Sequence, residues 1–501
     1  MKLLGLRLCE HDSNISYFDG KVLHYFKSER KYQSKHHAYD DLNSWKKEIK
    51  ELWGVDYNDL DEIAIILDPW RYNLPTDNEE FFPAIKTDVL DVNGKTKVYR
   101  INHHYAHVLS CFPIYKKRPN IEVVIDGFGD QNNSWTIFKN NKVFKRGYLD
   151  INGSLGQSMA RAGEWLGVKV NHINDYAGKV MGLQSYGNID KQYSELLNNF
   201  DMYSVNDLFD QKYFEFILKN EILVKLRPLD YIRTVHDKVS DILIKFFEDI
   251  TNKKYDTPIS YSGGVAHNVI WNTKLKEKFP NLMIPPHCDD EGLSLGAIEY
   301  LRIKNKLKPM RLDNFPFSQS DERPIDEADD HTITRTVDML KEGKIVGWYQ
   351  GYGELGPRAL GHRSLLIDPT IKNAKEIINK VKNRENYRPF GASVLKEYQK
   401  DYFNTDIHNP HMLYVGNTIK ENLESITHVD GTCRFQTVDK SNGVFYKLLK
   451  QFYTQTGCSV LLNTSFNING KPILGNKADT LKFLRESKID AVVFGNKIIN
   501  S

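Results

Sequence analysis

The chain has 501 residues, 40% hydrophobic and 12% aromatic, with 68 basic against 65 acidic side chains and a formal charge of +3. That length exceeds one ordinary core, so two domains are expected. So small a net charge excludes any argument for or against nucleic acid from the total alone, since binding needs only a local basic face.

In chain order, Leu3 to Leu8 reads as a first strand, with Arg7 and Glu10 breaking the apolar stretch that a signal peptide needs. A polar turn with His11, Asp12, Ser13 and Asn14 follows, then Ile15 to Phe18, a turn at Asp19-Gly20, and Val22 to Phe26. A similar unit recurs: Ile121 to Ile125, a turn at Asp126 to Asp130, then Ser134 to Phe138. Two such hairpins, each with an aspartate at its first turn, suggest an internal duplication. Residues 155–250 carry mostly helical patterns, and Pro258 to Tyr261 is a strand running into Ser262-Gly263-Gly264 and a helix. Strand, glycine pair and helix suit close approach of a nucleotide, although a tight structural turn is equally common. Residues 311–331 mix Pro, Ser and acidic side chains without periodicity and place a domain boundary there, giving domains 1–320 and 321–501. Beyond it, strands and helices alternate as a compact α/β domain. Apolar runs such as Ile63 to Leu67 are strand-sized, so no membrane partner is expected. Five scattered cysteines, an odd number, suit a reduced cytoplasm.

Three constellations carry chemistry. His103 and His107 stand at i and i+4, so on a helix both imidazoles leave one face and can share a metal with carboxylates such as Asp126 and Asp290. The alternative is a helix with two satisfied histidines. In the second half, Arg358, His362 and Arg363 fall in one glycine-rich block, Lys382, Arg384 and Arg388 in another, and Arg434 in a third. Guanidinium forks match phosphate oxygens, so this density points to a polyanion such as a nucleotide, against solvated surface arginines as the bland reading. Finally, Leu461 to Asn467 is a buried strand ending in Asn463 and Ser465, which can read a base or sugar or simply cap a turn. There is no phosphate-loop, nucleophile-elbow or kinase motif.

Taken in order, these segments resemble the NodU/TobZ-type O-carbamoyltransferase family over essentially the whole chain. The resemblance rests on His11-Asp12-Ser13, Glu29-Arg30 with Lys35-His36, the stretch 103–107, Asp126-Gly127, and Tyr176 to Gly187 with Lys179. It continues through SGGVAHN at 262–268 and Asp290-Glu291-Gly292, and its most specific blocks are GPRALGHRS, RPFGASVL, HVDGTCRFQTV and LLNTSFNINGKPI. It implies a two-lobed actin/sugar-kinase-like N-terminal domain followed by a YrdC-like α/β C-terminal domain. It also implies that ATP, with Mg2+, and carbamoyl phosphate form a carbamoyl-adenylate on the C-terminal domain. An acceptor hydroxyl then takes the carbamoyl group on the N-terminal domain. By the same resemblance His103, His107, Asp126 and Asp290 hold a metal, Fe2+ or another divalent ion. His11 is the base for the acceptor, Asp12 orients it, and Lys35 joins them. Gly127, Lys179, Gly263, Gly264 and Asn268 lie against the nucleotide; Arg358, His362, Arg363, Lys382, Arg384, Arg388 and Arg434 hold phosphates; Asn463 and Ser465 orient the adenylate. Departures from the family pattern are His267, Cys288-Asp289 and Gln184-Ser185, which bear on the acceptor pocket.

The acceptor stays open between a 5-hydroxymethylpyrimidine such as hydroxymethylcytosine in DNA and a sugar or natural-product hydroxyl. For DNA speak basic clusters at Lys27, Arg30, Lys31 and Lys35, at Lys116 to Arg118, at Lys139 to Arg146, and at Arg302 to Arg311, with Tyr25, Phe26 and Tyr32 as stacking candidates. The alternative functions are a tRNA threonylcarbamoyl-type modification enzyme and a non-catalytic nucleotide-binding regulator. A homodimer is a further expectation.

Overall fold

The computed structural model describes residues 1–74, 81–148, 154–202, 227–308, 310, 312, 314–319 and 326–501. The chain divides into two compact units, Met1–Tyr25 with Ala38–Leu312, and Phe26–His37 with Asp313–Ser501. The expected first domain runs unbroken to residue 320, a position outside the described residues. Residues 26–37 pack instead with the second unit.

The first unit is built on two mixed sheets that share one plan. In the first, Leu3–Arg7 pairs antiparallel with Asn14–Phe18 and parallel with Glu62–Ile66, which pairs parallel with Lys97–Ile101. In the second, Ile121–Ile125 pairs antiparallel with Asn133–Lys139 and parallel with Ile259–Ser262, which pairs parallel with Leu282–Met283. The central strands are buried along their whole length, as parallel strands covered on both faces must be. Loops leaving the carboxyl ends of such strands form a ready crevice for ligands. Four of them matter here: after Arg7, before the helix that opens at His103, after Ile125 and after Ser262.

The helix Leu293–Lys304 packs on the strand Leu3–Arg7 and crosses the helix His103–Ser110. The crossing is close because Gly296 has no side chain: a Cβ there would lie 2.0 Å from the Ala106 carbonyl oxygen. This contact fixes the residues just before Leu293 against the histidine helix.

Eight strands of the second unit form a sheet in the order Val415–Asn417, Thr432–Val438, Gly391–Leu395, Val460–Ser465, Arg363–Ile367, Val346–Tyr349, Ala491–Phe494 and Lys497–Asn500. Alternate residues face opposite ways. Leu365 and Ile367 join a core with the helices Ala374–Lys382 and Lys477–Glu486, whereas Leu366 joins another with Asp330–Lys341 and Gly443–Thr456. Among the described residues no helix is long and apolar enough to cross a membrane.

Candidate active site

The helix His103–Ser110 starts at Asn102, whose Oδ1 accepts from Tyr105 N at 3.0 Å. The Asn102 amide donates to Asp130, which is ion-paired with buried Arg100. One turn apart, His103 and His107 leave the same face. His104 leaves another: its Nδ1 meets Thr136 Oγ1 at 2.8 Å, and burial together with the charge of His103 pushes it down to about 3, so it stays neutral.

Asp126, one residue past a central strand, and Asp290, just before the helix Leu293–Lys304, reach the same point. His107 Nε2 lies 2.8 Å from Asp126 Oδ2, 3.3 Å from Asp290 Oδ1 and 3.2 Å from His103 Nε2. His103 Nε2 lies 3.4 Å from Asp126 Oδ2 and 3.3 Å from Asp290 Oδ1. Four donor atoms bonded to one ion at about 2.0–2.2 Å stand about 2.8–3.6 Å apart along tetrahedral or cis-octahedral edges. Five of the six donor pairs fall in that range and all four atoms lie within 4.8 Å of one another, so the residues fit a divalent metal in donor type and, for those pairs, in spacing. Against the cost of burial, the imidazoles hold both carboxyls well below their usual range, and the carboxylates raise His107 and lift His103 to about 10.

The second oxygen of each carboxylate has its own partner. Asp126 Oδ1 accepts from Gly127 N at 2.7 Å and Gly264 N at 3.0 Å. The second bond needs Gly263 at φ +94°, where a Cβ would lie 2.2 Å from the Ile125 carbonyl oxygen. Asp290 Oδ2 accepts from Arg7 Nη2 at 3.0 Å. Beside this group His11 Nδ1 meets Asp12 Oδ2 at 2.8 Å, and its Nε2 lies 3.8 Å from Asp290 Oδ2. Burial opposes the imidazolium, but Asp12 and Asp290 raise His11 to about 9.

A different chemistry is gathered in the second unit. Burial and the charges of Arg358, Arg384 and Arg388 push the Arg434 guanidinium well below its usual value. Lys382, also buried, is driven down with Arg384 and Arg388 adding to the effect. Burial and Arg388 bring Arg384 to about 9. Lys382 Nζ donates to Asn467 Oδ1 at 2.6 Å and Ser465 Oγ at 3.3 Å. Arg384 stacks on Phe390 at 4.0 Å. In the sheet Arg434 and Asn463 flank Gly391 on either side, and Asn463 Nδ2 donates to Ser393 Oγ at 2.9 Å. Such crowding of cations is relieved by a bound polyanion.

Family comparison identifies the chain from both ends of this arrangement. The description "Carbamoyltransferase N-terminus" matches residues 74–298, and "Carbamoyltransferase C-terminus" matches residues 337–501. The chain belongs to the carbamoyltransferase family. This carbamoyltransferase is 31% identical over 437 residues to a protein of Methanocaldococcus jannaschii, covering 80% of this chain and 82% of the relative. It is 30% identical over 440 residues to the nodulation protein NolO of Bradyrhizobium diazoefficiens, covering 79% and 78%. It is also 30% identical over 276 residues to the 3'-hydroxymethylcephem-O-carbamoyltransferase of Streptomyces clavuligerus, covering 52% of each chain. Among solved structures, HypF of T. kodakarensis matches with 13% identity and a TM-score of 0.40, over 62% of this chain and 48% of that one.

Several expected site residues of the carbamoyltransferase lie elsewhere or have other partners. Arg363 does not join the cation cluster: its guanidinium donates to the carbonyls of Gly351 at 2.9 Å and His362 at 3.1 Å and to that of Gln350, and it stacks on Tyr349 at 3.4 Å. Strand alternation explains this, because Arg363 faces the side of Leu365 and Ile367. His362 is pushed to about 4 by burial, meets the Tyr352 carbonyl through Nδ1 at 2.7 Å and stacks on Phe317, at the wall of a cavity of about 590 Å3. Asn268 caps the helix Val269–Lys278 and its amide meets His236 Nε2 at 2.9 Å. Lys179 is buried and donates to the Lys169 carbonyl at 2.5 Å. Lys35 is exposed and belongs to the segment 26–37 of the second unit, not to the unit of His11 and Asp12.

The expected DNA footprint also changes. Tyr25 and Phe26 are buried and not available to stack on a base; Lys27 and Arg30 are buried as well, Lys27 being paired with Glu29. Arg118 is held by both oxygens of Glu122, Arg302 by Glu299 and Lys304 by Glu62, while Arg311 lies outside the described residues. Two of the three departures meet: His267 Nε2 lies 2.9 Å from Asp289 Oδ2, and its Nδ1 lies 3.5 Å from Cys288 Sγ, whereas Gln184 meets Arg233.

Two contributors are not apparent from sequence. Arg7 is legible there only as a cation inside an apolar strand. Glu354 Oε1 accepts from the amides of Leu360, His362 and Arg363 at 2.9–3.1 Å and so shapes the GPRALGHRS turn.

Proposed function

We propose that this carbamoyltransferase is an ATP-dependent O-carbamoyltransferase that works through carbamoyl-adenylate. On this reading the first unit is the actin/sugar-kinase-like metal domain and the second, which includes residues 26–37, the YrdC-like adenylate-forming domain. Carbamoyl phosphate, ATP and one water give carbamoyl-adenylate, pyrophosphate and phosphate. The acceptor hydroxyl oxygen then bonds to the carbamoyl carbon, and AMP leaves.

The observation that carries the first step is the mutual crowding of Arg358, Lys382, Arg384, Arg388 and Arg434. These side chains neutralise the triphosphate and the leaving pyrophosphate. Ser465, beside Lys382, and Asn463, in the same row as Arg434, orient the adenylate. The second step uses His103, His107, Asp126 and Asp290 to hold a divalent metal, which when bound supplies Lewis acidity toward an oxygen. The residues support iron by their imidazole and carboxylate donors. His11, held by Asp12, handles the acceptor proton.

The acceptor is a hydroxyl on a small molecule. The burial of Tyr25, Phe26, Lys27 and Arg30 and the pairing of Arg118, Arg302 and Lys304 support this over DNA. The test is mass spectrometry of an acceptor panel, with hydroxymethylcephems, sugars and hydroxymethylcytosine DNA, incubated with ATP and carbamoyl phosphate. Replacement of H by CONH2 adds about 43 Da to a true acceptor. Gain on a small hydroxyl supports the reading, gain on DNA alone replaces the acceptor, and no gain on any member overturns the acceptor class.

A further inference from the structure

We infer that Arg7 is a positioning residue that confines Asp290 to one-oxygen ligation of the metal and thereby keeps coordination positions open for the acceptor. The inference rests on the reading of the His103, His107, Asp126 and Asp290 group as a metal site. All the residues involved belong to the first unit.

Arg7 is the last residue of the strand Leu3–Arg7, opposite Asn14 of its antiparallel neighbour and 1% exposed, where an apolar side chain would pack. Its Nη2 lies 3.0 Å from Asp290 Oδ2 and 2.7 Å from Glu10 Oε2, whereas Nε and Nη1 have no hydrogen-bond partner among the described residues. A guanidinium with two unmatched donors is a poor choice for packing alone. Besides Glu10, its partner is the oxygen of Asp290 that does not face the histidines, since Oδ1 lies 3.3 Å from both His103 and His107. The neighbouring groups reinforce the choice of oxygen. Asn14 Nδ2 donates to the Asp290 carbonyl at 2.9 Å, and Asn14 Oδ1 accepts from Ser294 N at 3.0 Å, so the Asp290 backbone is held as well.

Asp126 receives the same treatment by other means, its Oδ1 taking the Gly127 and Gly264 amides. Each carboxylate thus offers the ion one oxygen, and the ion receives four single-atom ligands. An ion that accepts five or six donors then has room beside them for a substrate oxygen. Without Arg7, Asp290 Oδ2 keeps only the more distant His11 Nε2, at 3.8 Å, on that side and can turn inward to close such a position.

The probe is Co2+ added to the metal-free full-length protein, read by its visible absorption and by competition with a chelator. Arg7→Met is expected to weaken Co2+ binding by about 10–100-fold and to change the band shape toward higher coordination. Arg7→Lys, which keeps a cation for Oδ2, should fall between the two. Glu10→Gln, which leaves the Arg7–Asp290 contact in place, should keep the wild-type spectrum. Circular dichroism and thermal melting of each metal-free variant report folding, and if Arg7→Met does not fold, Arg7→Lys against Glu10→Gln decides. Wild-type binding and spectrum in Arg7→Met, or in Arg7→Lys if only that variant folds, overturn the inference. Tighter binding in Arg7→Met would reduce Arg7 to simple charge repulsion and also overturn it. A wild-type protein that binds no Co2+ refutes the metal reading itself.

Discussion

Nucleotide binding to the second unit should draw protons from solvent, and the amount follows from the cation cluster. In the free protein burial, with the charges of Arg384 and Arg388 adding to it, pushes Lys382 well below its usual range. Guanidinium groups keep their charge, so Lys382 is the cation of the cluster whose proton is held weakly. A polyanion favours the charged form, so ATP binding at alkaline pH takes up protons, at most about one. The complex holds more protons than the free protein, so affinity falls as pH rises, by about tenfold per pH unit for each proton taken up. Calorimetric titration with ATP in two buffers of different ionisation enthalpy measures the uptake directly. Arg388→Gln removes one named source of repulsion and should reduce it. Zero uptake, proton release, or an Arg388→Gln variant that matches wild type would refute the reasoning.

Three further outcomes are expected. Gly296→Ala forces a methyl group against the Ala106 carbonyl and should cost about 1–3 kcal/mol of stability, read as a lower denaturant midpoint with unchanged slope. Arg363→Gln removes donors to three carbonyls and the stacking on Tyr349, so it should destabilise by about 2–4 kcal/mol while the KM for ATP of the folded fraction stays near wild type; a large rise in KM with normal stability would return Arg363 to the phosphate site. If the metal reading holds, His107→Ala removes one of the four residues grouped to hold an ion, and elemental analysis should find the metal content lost while ATP binding to the second unit is kept.

Legibility followed the range of each physical rule. The pairing of His103 with His107 depends only on the 3.6-residue repeat of a helix, so their sharing of one face follows from their spacing alone. Asp126 and Asp290 come from distant loops, and family resemblance rather than spacing points to them. Arg7 is illegible because its meaning depends on Asp290, 283 residues away. Lys35 stands close to His11 in sequence, and nothing local reveals that residues 26–37 pack with the other unit. Arg358 and Arg363 look equivalent in GPRALGHRS, yet a strand begins at Arg363, and strand alternation turns its side chain toward the core side of Leu365. The hairpin duplication is visible as two turns carrying aspartates, and the sheets show its cause in a shared strand plan. The basic clusters lose Lys27 and Arg30 to burial and Arg118, Arg302 and Lys304 to pairing, which charge counts ignore, while Lys35, Lys116, Lys117, Lys142 and Lys145 stay exposed.

The central claim, carbamoyl transfer through an adenylate made on the cation cluster, is tested most directly by pyrophosphate release from ATP. The wild-type protein should release pyrophosphate only when carbamoyl phosphate is also present. Arg434→Met should abolish that release, whereas His107→Ala should keep it and lose carbamoylation of the acceptor. Absence of pyrophosphate with both substrates supplied, or release undiminished in Arg434→Met, would contradict the account.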